Sequence, residues 1–223
     1  MLIESKKNLR IFNRLIYFLF FLMILSNISF ANYDNSIRIQ QSLNYKINKT
    51  FAANMYLFQQ IDRNISSFDY LEMGLGIKYQ TTLEWLAFQL YYQQSFSMNE
   101  EGLWFLEIKP SVNLNLSIYF YMLKIYNQIR YEYRMTEDWS NIRIKNYLKI
   151  SLYDVFLTPY IGWELFYENH YKQFALSRIK LGIIYKVCSS FSLGGYYRID
   201  FSNKDEGWIF TKMLWAIQFI VGF

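Results

Sequence analysis

Apolar and polar side chains alternate with a period of two along most of this chain. From Ile37 onward, eleven segments show this alternation, and short polar connections separate them. Successive side chains of a β-strand point to opposite faces, so each segment predicts one apolar and one polar face. The clearest segment sets Trp104, Leu106, Ile108, Pro110, Val112, Leu114 and Leu116 against Glu107, Lys109, Ser111, Asn113 and Asn115.

The last segment has the same period and ends on an aromatic residue. Trp215, Ile217, Phe219, Val221 and Phe223 are apolar, and they alternate with the residues between them. This pattern resembles the closing strand of bacterial outer-membrane barrels. We therefore interpret Trp215, Phe219, Val221 and Phe223 as a membrane-insertion signal read by the barrel-assembly machinery.

Alternation alone fits two kinds of barrel. A soluble barrel of the lipocalin type has its apolar residues inside, whereas a membrane barrel has them outside. Glu84 is the one charged residue on the predicted apolar faces, and Tyr and Trp lie near strand ends, as at a membrane interface. These features favour an all-β, membrane-spanning, antiparallel up-and-down barrel. A water-soluble core containing Leu75, Ile108 and Phe219 would overturn this interpretation.

Strand number and turn positions follow from the same pattern. Bacterial barrels use an even number of strands, so the eleven segments indicate about 12 strands, with 10 as the alternative. Short turns are predicted at Asn48–Lys49, Gln80–Thr81, Asn115–Ser117, Tyr153–Phe156 and Cys188–Ser190. Slightly longer loops are predicted at 62–67, 97–102, 135–139, 168–172 and 202–207. The short turns would face the periplasm and the longer loops the outside.

The amino-terminal region predicts secretion. Basic residues from Lys6 to Arg14 precede the apolar run Leu15–Leu25, and Ser29-Phe30-Ala31 offers small residues for signal peptidase. The apolar run of 11 residues is shorter than the roughly 20 needed for a membrane-spanning helix. We therefore predict a cleaved signal peptide at 1–31 and one barrel domain at 32–223, located in the bacterial outer membrane.

Composition and charge narrow the classes of function. Aromatic residues make up 21% of the chain and prolines number two, which suits strands. The single cysteine, Cys188, excludes an internal disulfide. Removing residues 1–31 lowers the net charge from +5 to +2, so no nucleic-acid partner is expected.

The polar face would line the inside of the barrel and is strongly basic. The parity of each position, odd or even within its alternating segment, decides which face its side chain takes. It places 15 Lys and Arg residues on the inner face, together with five carboxylates. The charged residues chosen as the candidate lumen site are Arg130, Glu132, Arg134, Arg143, Lys145, Glu164, Arg178, Lys180, Arg198 and Asp200. Such a lumen would concentrate anions. A ladder of ion pairs that only braces a closed interior explains the same residues equally well.

Catalytic chemistry finds little support in the sequence. His170 is the single histidine and is expected in a short exposed loop. Ser177 is a conceivable partner, although parity points it toward lipid. No metal or cofactor motif is present, so we expect a protein that is not an enzyme and needs no cofactor.

The second half of the chain contains several characteristic strand sequences, at Asn127–Arg134, Arg143–Lys145, Tyr160–Phe166, Ser177–Gly182 with Tyr185, and Gly195–Tyr196. With these segments the chain resembles a family of uncharacterised outer-membrane barrels known as domain of unknown function 2490. The resemblance implies a barrel of unassigned function with no active site to carry over. Lys145 and Asn127 stand where that family tends to have Arg.

These observations predict a narrow passive channel with mild anion preference, whose partners are outer-membrane lipids and small anionic solutes. The first alternative is a closed barrel that contacts lipid or serves a structural role without transport. A distant alternative is a lipid-modifying enzyme that acts through His170.

Overall fold

The structure is a computed structural model and describes residues 34–62, 67–99, 101–153, 155–204 and 207–223; the predicted signal peptide lies outside these ranges. The described chain is all-β, as predicted. Its strands are β1 (Asp34–Lys46), β2 (Phe51–Asp62), β3 (Ser67–Gln80), β4 (Leu86–Met98), β5 (Trp104–Phe120), β6 (Leu123–Met135), β7 (Ser140–Leu152), β8 (Leu157–Glu168), β9 (Gln173–Lys186), β10 (Phe191–Lys204) and β11 (Gly207–Gly222). No helix in the described ranges is long and apolar enough to cross a membrane.

The strands form a closed barrel in which each pairs with its neighbours in the chain and β1 also pairs with β11. The prediction of 12 or 10 strands is wrong, because the described barrel has 11. In a meander with an odd number of strands, the first and last strands run in the same direction. The β1–β11 pairing is accordingly parallel, and the other pairings are antiparallel.

The parallel seam is continuous from Asp34 opposite Lys212 to Asn44 opposite Gly222. Where β1 and β11 finish, the backbone N–H of Phe223 donates to the carbonyl of Asn44 at 2.9 Å, and the N–H of Lys46 donates to the carbonyl of Phe223 at 2.9 Å. Closure satisfies backbone groups that an open sheet edge would leave unpaired.

We call the end of the barrel where β11 finishes the carboxyl end, and the end where β1 begins the amino end. Connections of two to five residues occur at both ends, so the predicted difference in loop length is wrong. The predicted turn at Asn115–Ser117 is also wrong, because β5 continues to Phe120 and the chain turns at Tyr121 and Met122. Tyr121 has a φ of 52°, a conformation uncommon for residues other than glycine.

The apolar face of the sheet points outward. Leu75 is 56% exposed, Phe219 is 38% exposed and Ile108 is half-buried on the same outer face. Lys109, Ser111 and other polar side chains of the opposite face are buried inside. This arrangement is the reverse of a soluble lipocalin-type barrel, in which apolar side chains fill the interior.

The interior contains a small apolar cluster beside many polar groups. Tyr160, Tyr196, Leu214 and Ala216 form that cluster on the β8–β11 side. Buried polar side chains elsewhere inside include Glu72, Gln93, Asn113, Glu132, Glu164 and Arg198. A buried polar group is costly unless it is hydrogen-bonded, so ion pairs and hydrogen bonds must stabilise most of this interior.

Candidate functional site

The barrel encloses a cavity of about 1000 Å³. Strands around the whole wall contribute inward side chains to it, because alternate residues of each strand face the interior. The ten charged residues selected from the sequence all line this cavity: Arg130, Glu132, Arg134, Arg143, Lys145, Glu164, Arg178, Lys180, Arg198 and Asp200. The cavity is therefore the candidate site.

At the amino end, carboxylates and guanidinium groups form a ladder across β5 to β8. Arg134 Nε lies 2.5 Å from Glu107 Oε1, and its Nη1 lies 3.3 Å from Glu168 Oε1. Arg143 bridges the next pair, with Nη2 2.7 Å from Glu132 Oε2 and Nη1 3.5 Å from Glu168 Oε1. Arg143 stands directly opposite both Glu132 and Glu168 in the strand register, which explains why it reaches both.

Halfway along the barrel, Glu164 is shared by three cations. Lys145 Nζ and Lys180 Nζ approach its Oε1 at 2.7 and 2.8 Å, and Arg178 Nη1 lies 3.9 Å from Oε2. The side chain of Glu164 is 3% exposed. One buried carboxylate thus compensates part of the charge of β7 and β9 together.

A second shared carboxylate lies on β10. Asp200 Oδ2 accepts hydrogen bonds from Arg178 Nε at 3.2 Å and from Arg198 Nη2 at 2.8 Å. Arg198 is 2% exposed, so its guanidinium is almost completely shielded from solvent. Arg178 therefore connects the Asp200 pair to the Glu164 cluster.

On the β2–β5 side, tyrosines join the ionic network. Lys109 Nζ lies 2.5 Å from Glu72 Oε2, and Tyr56 donates to Glu72 Oε1 at 2.9 Å. Tyr70 also donates to Glu72, and Gln93 donates to the Tyr56 hydroxyl. The period-two pattern places Glu72 and Lys109 on the inner face, but neither is among the ten residues predicted as the site, and the pattern gives no indication of these tyrosine hydroxyls.

Glycines on the inner face leave room for tyrosine rings against the wall. A Cβ at Gly162 would lie 2.8 Å from the ring of Tyr147, and one at Gly74 would lie 2.5 Å from the ring of Tyr56. A Cβ could be accommodated at either position only if the tyrosine ring moved away. The tyrosine rings therefore occupy the space above the glycines, which keeps them out of the centre of the cavity.

The charges that line the cavity are mainly positive. The twelve cations are Arg38, Lys109, Lys124, Arg130, Arg134, Arg143, Lys145, Lys149, Arg178, Lys180, Arg198 and Lys212, and the five carboxylates are Glu72, Glu107, Glu132, Glu164 and Asp200. Three of the 15 cations predicted for the inner face do not line the cavity. Of these, Lys46 and Lys186 are exposed at the carboxyl end and Lys78 is partly buried. The described cavity keeps an excess of seven positive charges, which suits attraction of anions.

The residues proposed as an insertion signal lie on the last strand, β11, and directly after it. Trp215, Phe219 and Val221 alternate on the outer face of β11, and Phe223 follows the strand, 68% exposed. Gln218 and Ala216 point inward between them. β11 thus presents an apolar ridge at the seam.

Ser177 and His170, the residues considered for a catalytic role, have separate surroundings in the barrel. Ser177 Oγ accepts a hydrogen bond from Trp163 Nε1 at 2.9 Å on the outer face. The ring of His170 packs edge-on against Tyr171 in the connection after β8. In the described part of the chain, no group of three or more His, Cys, Asp or Glu side chains is placed to hold a metal ion. Cys188 is exposed in the turn after β9.

Comparison with known proteins connects this fold with one family. A search of curated proteins found no match. The family model described as protein of unknown function (DUF2490) matches residues 36–211, which span β1 to the first part of β11. This match covers well over half of the chain and includes every residue of the charged cavity except Lys212, Gln218 and Ile220. The chain therefore belongs to the DUF2490 family of proteins of unknown function.

Proposed function

We propose that the protein spans the bacterial outer membrane and forms a narrow passive channel with mild anion preference. The observation that carries this proposal is the extent of the cavity along the barrel. Every second residue of β6, from its second to its penultimate position, lines it: Lys124, Tyr126, Gln128, Arg130, Glu132 and Arg134. A cavity lined along a whole strand is what a solute path through the barrel requires.

The size of the cavity limits what would pass. The ten steps along the tilted strand from Lys124 to Arg134 span about 25 Å, so a cavity of about 1000 Å³ has a mean cross-section of roughly 40 Å². Averaged along the barrel, this area corresponds to a width of roughly 7 Å, which suits small ions and excludes bulky solutes. The channel is therefore proposed for small ions.

Charge is the basis of the anion preference. The cavity lining carries twelve cations and five carboxylates. In a narrow lumen with walls of low dielectric constant, uncompensated charges focus the field and raise the local concentration of counter-ions. Ion pairs neutralise much of the lining, which is why the preference is mild rather than strict.

The outer surface supports a location in lipid. Large apolar side chains such as Leu90 at 62% and Val112 at 49% are exposed around the middle of their strands. Trp85, Trp104 and Trp208 are exposed near strand ends, where an aromatic girdle would meet the membrane interface. We propose membrane lipids and the barrel-assembly machinery as partners, with the carboxyl end in the periplasm. We propose neither a cofactor nor an enzymatic role.

Conductance in planar lipid bilayers tests the channel. The folded barrel is reconstituted in a bilayer that separates a tenfold gradient of KCl. We expect small unitary currents whose reversal potential has the same sign as the equilibrium potential of chloride. Absence of current, or a reversal potential set by potassium, would contradict the proposal.

A closed structural barrel is the second candidate, and one observation favours it. Glu107, Glu132, Glu164 and Asp200 each contact at least two cations, so the charged side chains brace strands from β5 to β10. This candidate predicts no ion current from a correctly folded barrel. It also predicts that cells lacking the protein have a weaker envelope barrier to large antibiotics.

A further inference from the structure

Two lysines that line the carboxyl half of the cavity lack an acidic partner. Lys124 near the start of β6 and Lys149 on β7 line the cavity, and in the described chain no carboxylate lies within 4.0 Å of either ammonium group. Lys124 Nζ instead lies 5.2 Å from the ring centre of Tyr119, and Lys149 Nζ lies 4.1 Å from that of Tyr160. Aromatic faces attract an ammonium group but leave its positive charge uncompensated.

The lumen is therefore asymmetric along its axis. Its carboxylates, such as Glu107, Glu132 and Glu164, pair with cations toward the amino end and the middle. The charged groups that act on Lys149 most strongly are Lys124 and Lys180, both cations. The carboxyl half thus holds like charges close together, and an anion would relieve their repulsion.

A hydroxyl group completes the cluster. Ser151 stands directly opposite Lys124 in the β6–β7 register and two residues beyond Lys149 on the same inner face of β7. It is 6% exposed and lines the cavity. Within the described residues, no hydrogen bond joins this hydroxyl to another protein group. Its oxygen is not fully enclosed by protein, so water or a ligand in the cavity can bond to it.

The strand geometry brings these groups within reach of one small ligand. Lys149 stands opposite Tyr126 and Lys124 opposite Ser151, so the two lysines form a diagonal pair on adjacent strands. Diagonal neighbours lie about 7 to 8 Å apart at the backbone. Lys124 Nζ lies over a ring of β5 and Lys149 Nζ over a ring of β8, so both flexible side chains would swing away from these rings to meet on one oxyanion. Two ammonium donors and one hydroxyl donor match the oxygen atoms of a tetrahedral oxyanion.

We propose that Lys124, Lys149 and Ser151 form a binding site for a small free oxyanion such as phosphate in the carboxyl half of the lumen. The sheet separates this site from the apolar outer surface, so a lipid covering that surface cannot place its headgroup there. A dissolved anion therefore occupies it. This inference rests on the proposed function only in that the cavity is open to water.

Calorimetric titration of the folded barrel in detergent with inorganic phosphate tests the site. We expect one phosphate per barrel. Lys124→Gln and Lys149→Gln are each expected to weaken binding roughly tenfold or more, because each removes a charge-assisted hydrogen bond. Ser151→Ala is expected to weaken it about threefold, and Lys149→Arg to retain it, since the charge and donors remain. The different migration of folded and heated protein in gels establishes that each variant is folded.

Lys186→Gln is the matched control, because Lys186 is an exposed lysine at the same end of the barrel that does not line the cavity. It should bind phosphate as the unchanged protein does. The site would be overturned if the unchanged protein bound no phosphate, or if the Lys124→Gln and Lys149→Gln variants bound it as tightly as the unchanged protein. It would also be overturned if Lys186→Gln weakened binding as much as these two changes do. A barrel that conducts chloride without binding phosphate refutes the site alone. One that binds phosphate through these lysines without conducting refutes the channel alone.

Discussion

Replacing Leu75 by arginine is expected to lower the free energy of unfolding of the bilayer-embedded barrel by about 2 to 4 kcal/mol. Leu75 lies near the middle of β3 and is 56% exposed on the outer face. Its cross-strand neighbours, Met55 and Tyr92, are exposed and apolar or aromatic as well. An arginine there would have to reach water through hydrocarbon. Urea unfolding in lipid vesicles, followed by tryptophan fluorescence, measures the change.

Tyr79 is the matched control for depth. It lies on the same face of the same strand, one residue before the end of β3, and is 42% exposed. Tyr79→Arg is expected to cost only about 0 to 1 kcal/mol, because the cost of a charge falls toward the membrane interface. Equal costs at the two positions, or no cost at Leu75, would be inconsistent with an outer face that contacts hydrocarbon.

Removing the carboxylate of Glu164 is the second change with a large expected effect. Glu164→Gln is expected to lower the free energy of unfolding by about 3 kcal/mol, since it leaves charged groups in the wall without their partner. Those groups are Lys145 and Lys180, whereas Arg178 keeps its contact with Asp200. The loss of one negative charge should also shift the reversal potential further toward that of chloride. Urea unfolding and bilayer recordings on the same preparation measure both effects.

Glu101→Gln provides the control for this change. Glu101 is exposed in the connection between β4 and β5 and does not line the cavity. Its replacement should alter the free energy of unfolding by no more than about 0.5 kcal/mol. A similarly small effect for Glu164→Gln would mean that the lumen network contributes little to stability and that solvent compensates its cations.

Period-two alternation is enough to predict the faces of the strands. Leu75 and Val112 lie outside, and Lys109 and Asn113 lie inside, as their positions in the pattern predict. The reason is local, because each residue of a strand turns its side chain by half a rotation relative to the one before. The direction of the apolar face does not follow from alternation, and its prediction needed the aromatic last residue and the Tyr and Trp residues near strand ends.

Strand number and one turn were predicted incorrectly for identifiable reasons. The eleven alternating segments correspond to the eleven strands, and the error came from applying the even-number rule of bacterial barrels to them. The β5–β6 turn at Tyr121 and Met122 contains no glycine, proline or asparagine. Asn115 and Ser117, which resembled a turn, belong to the polar inner face of β5.

The contacts of the candidate site depend on register, which the sequence does not specify. Parity indicates that Glu164 faces inward, but its pairing with Lys145 and Lys180 requires the relative shift of β7, β8 and β9. Turn geometry and bulges, such as the shift between Phe166 and Tyr167, determine that register. The packing of Tyr147 over Gly162 depends on it in the same way.

The central claim is that the outer face of the barrel contacts the hydrocarbon of a membrane, and Trp163 offers the most direct test. Trp163 is 46% exposed near the middle of β8, and its indole N–H is already bonded to Ser177. In a variant that retains Trp163 and replaces the other five tryptophans by phenylalanine, its fluorescence is measured in vesicles of lipids brominated at different depths. We predict the strongest quenching by bromines near the centre of the bilayer. Emission from a folded barrel that no brominated lipid quenches would contradict the account.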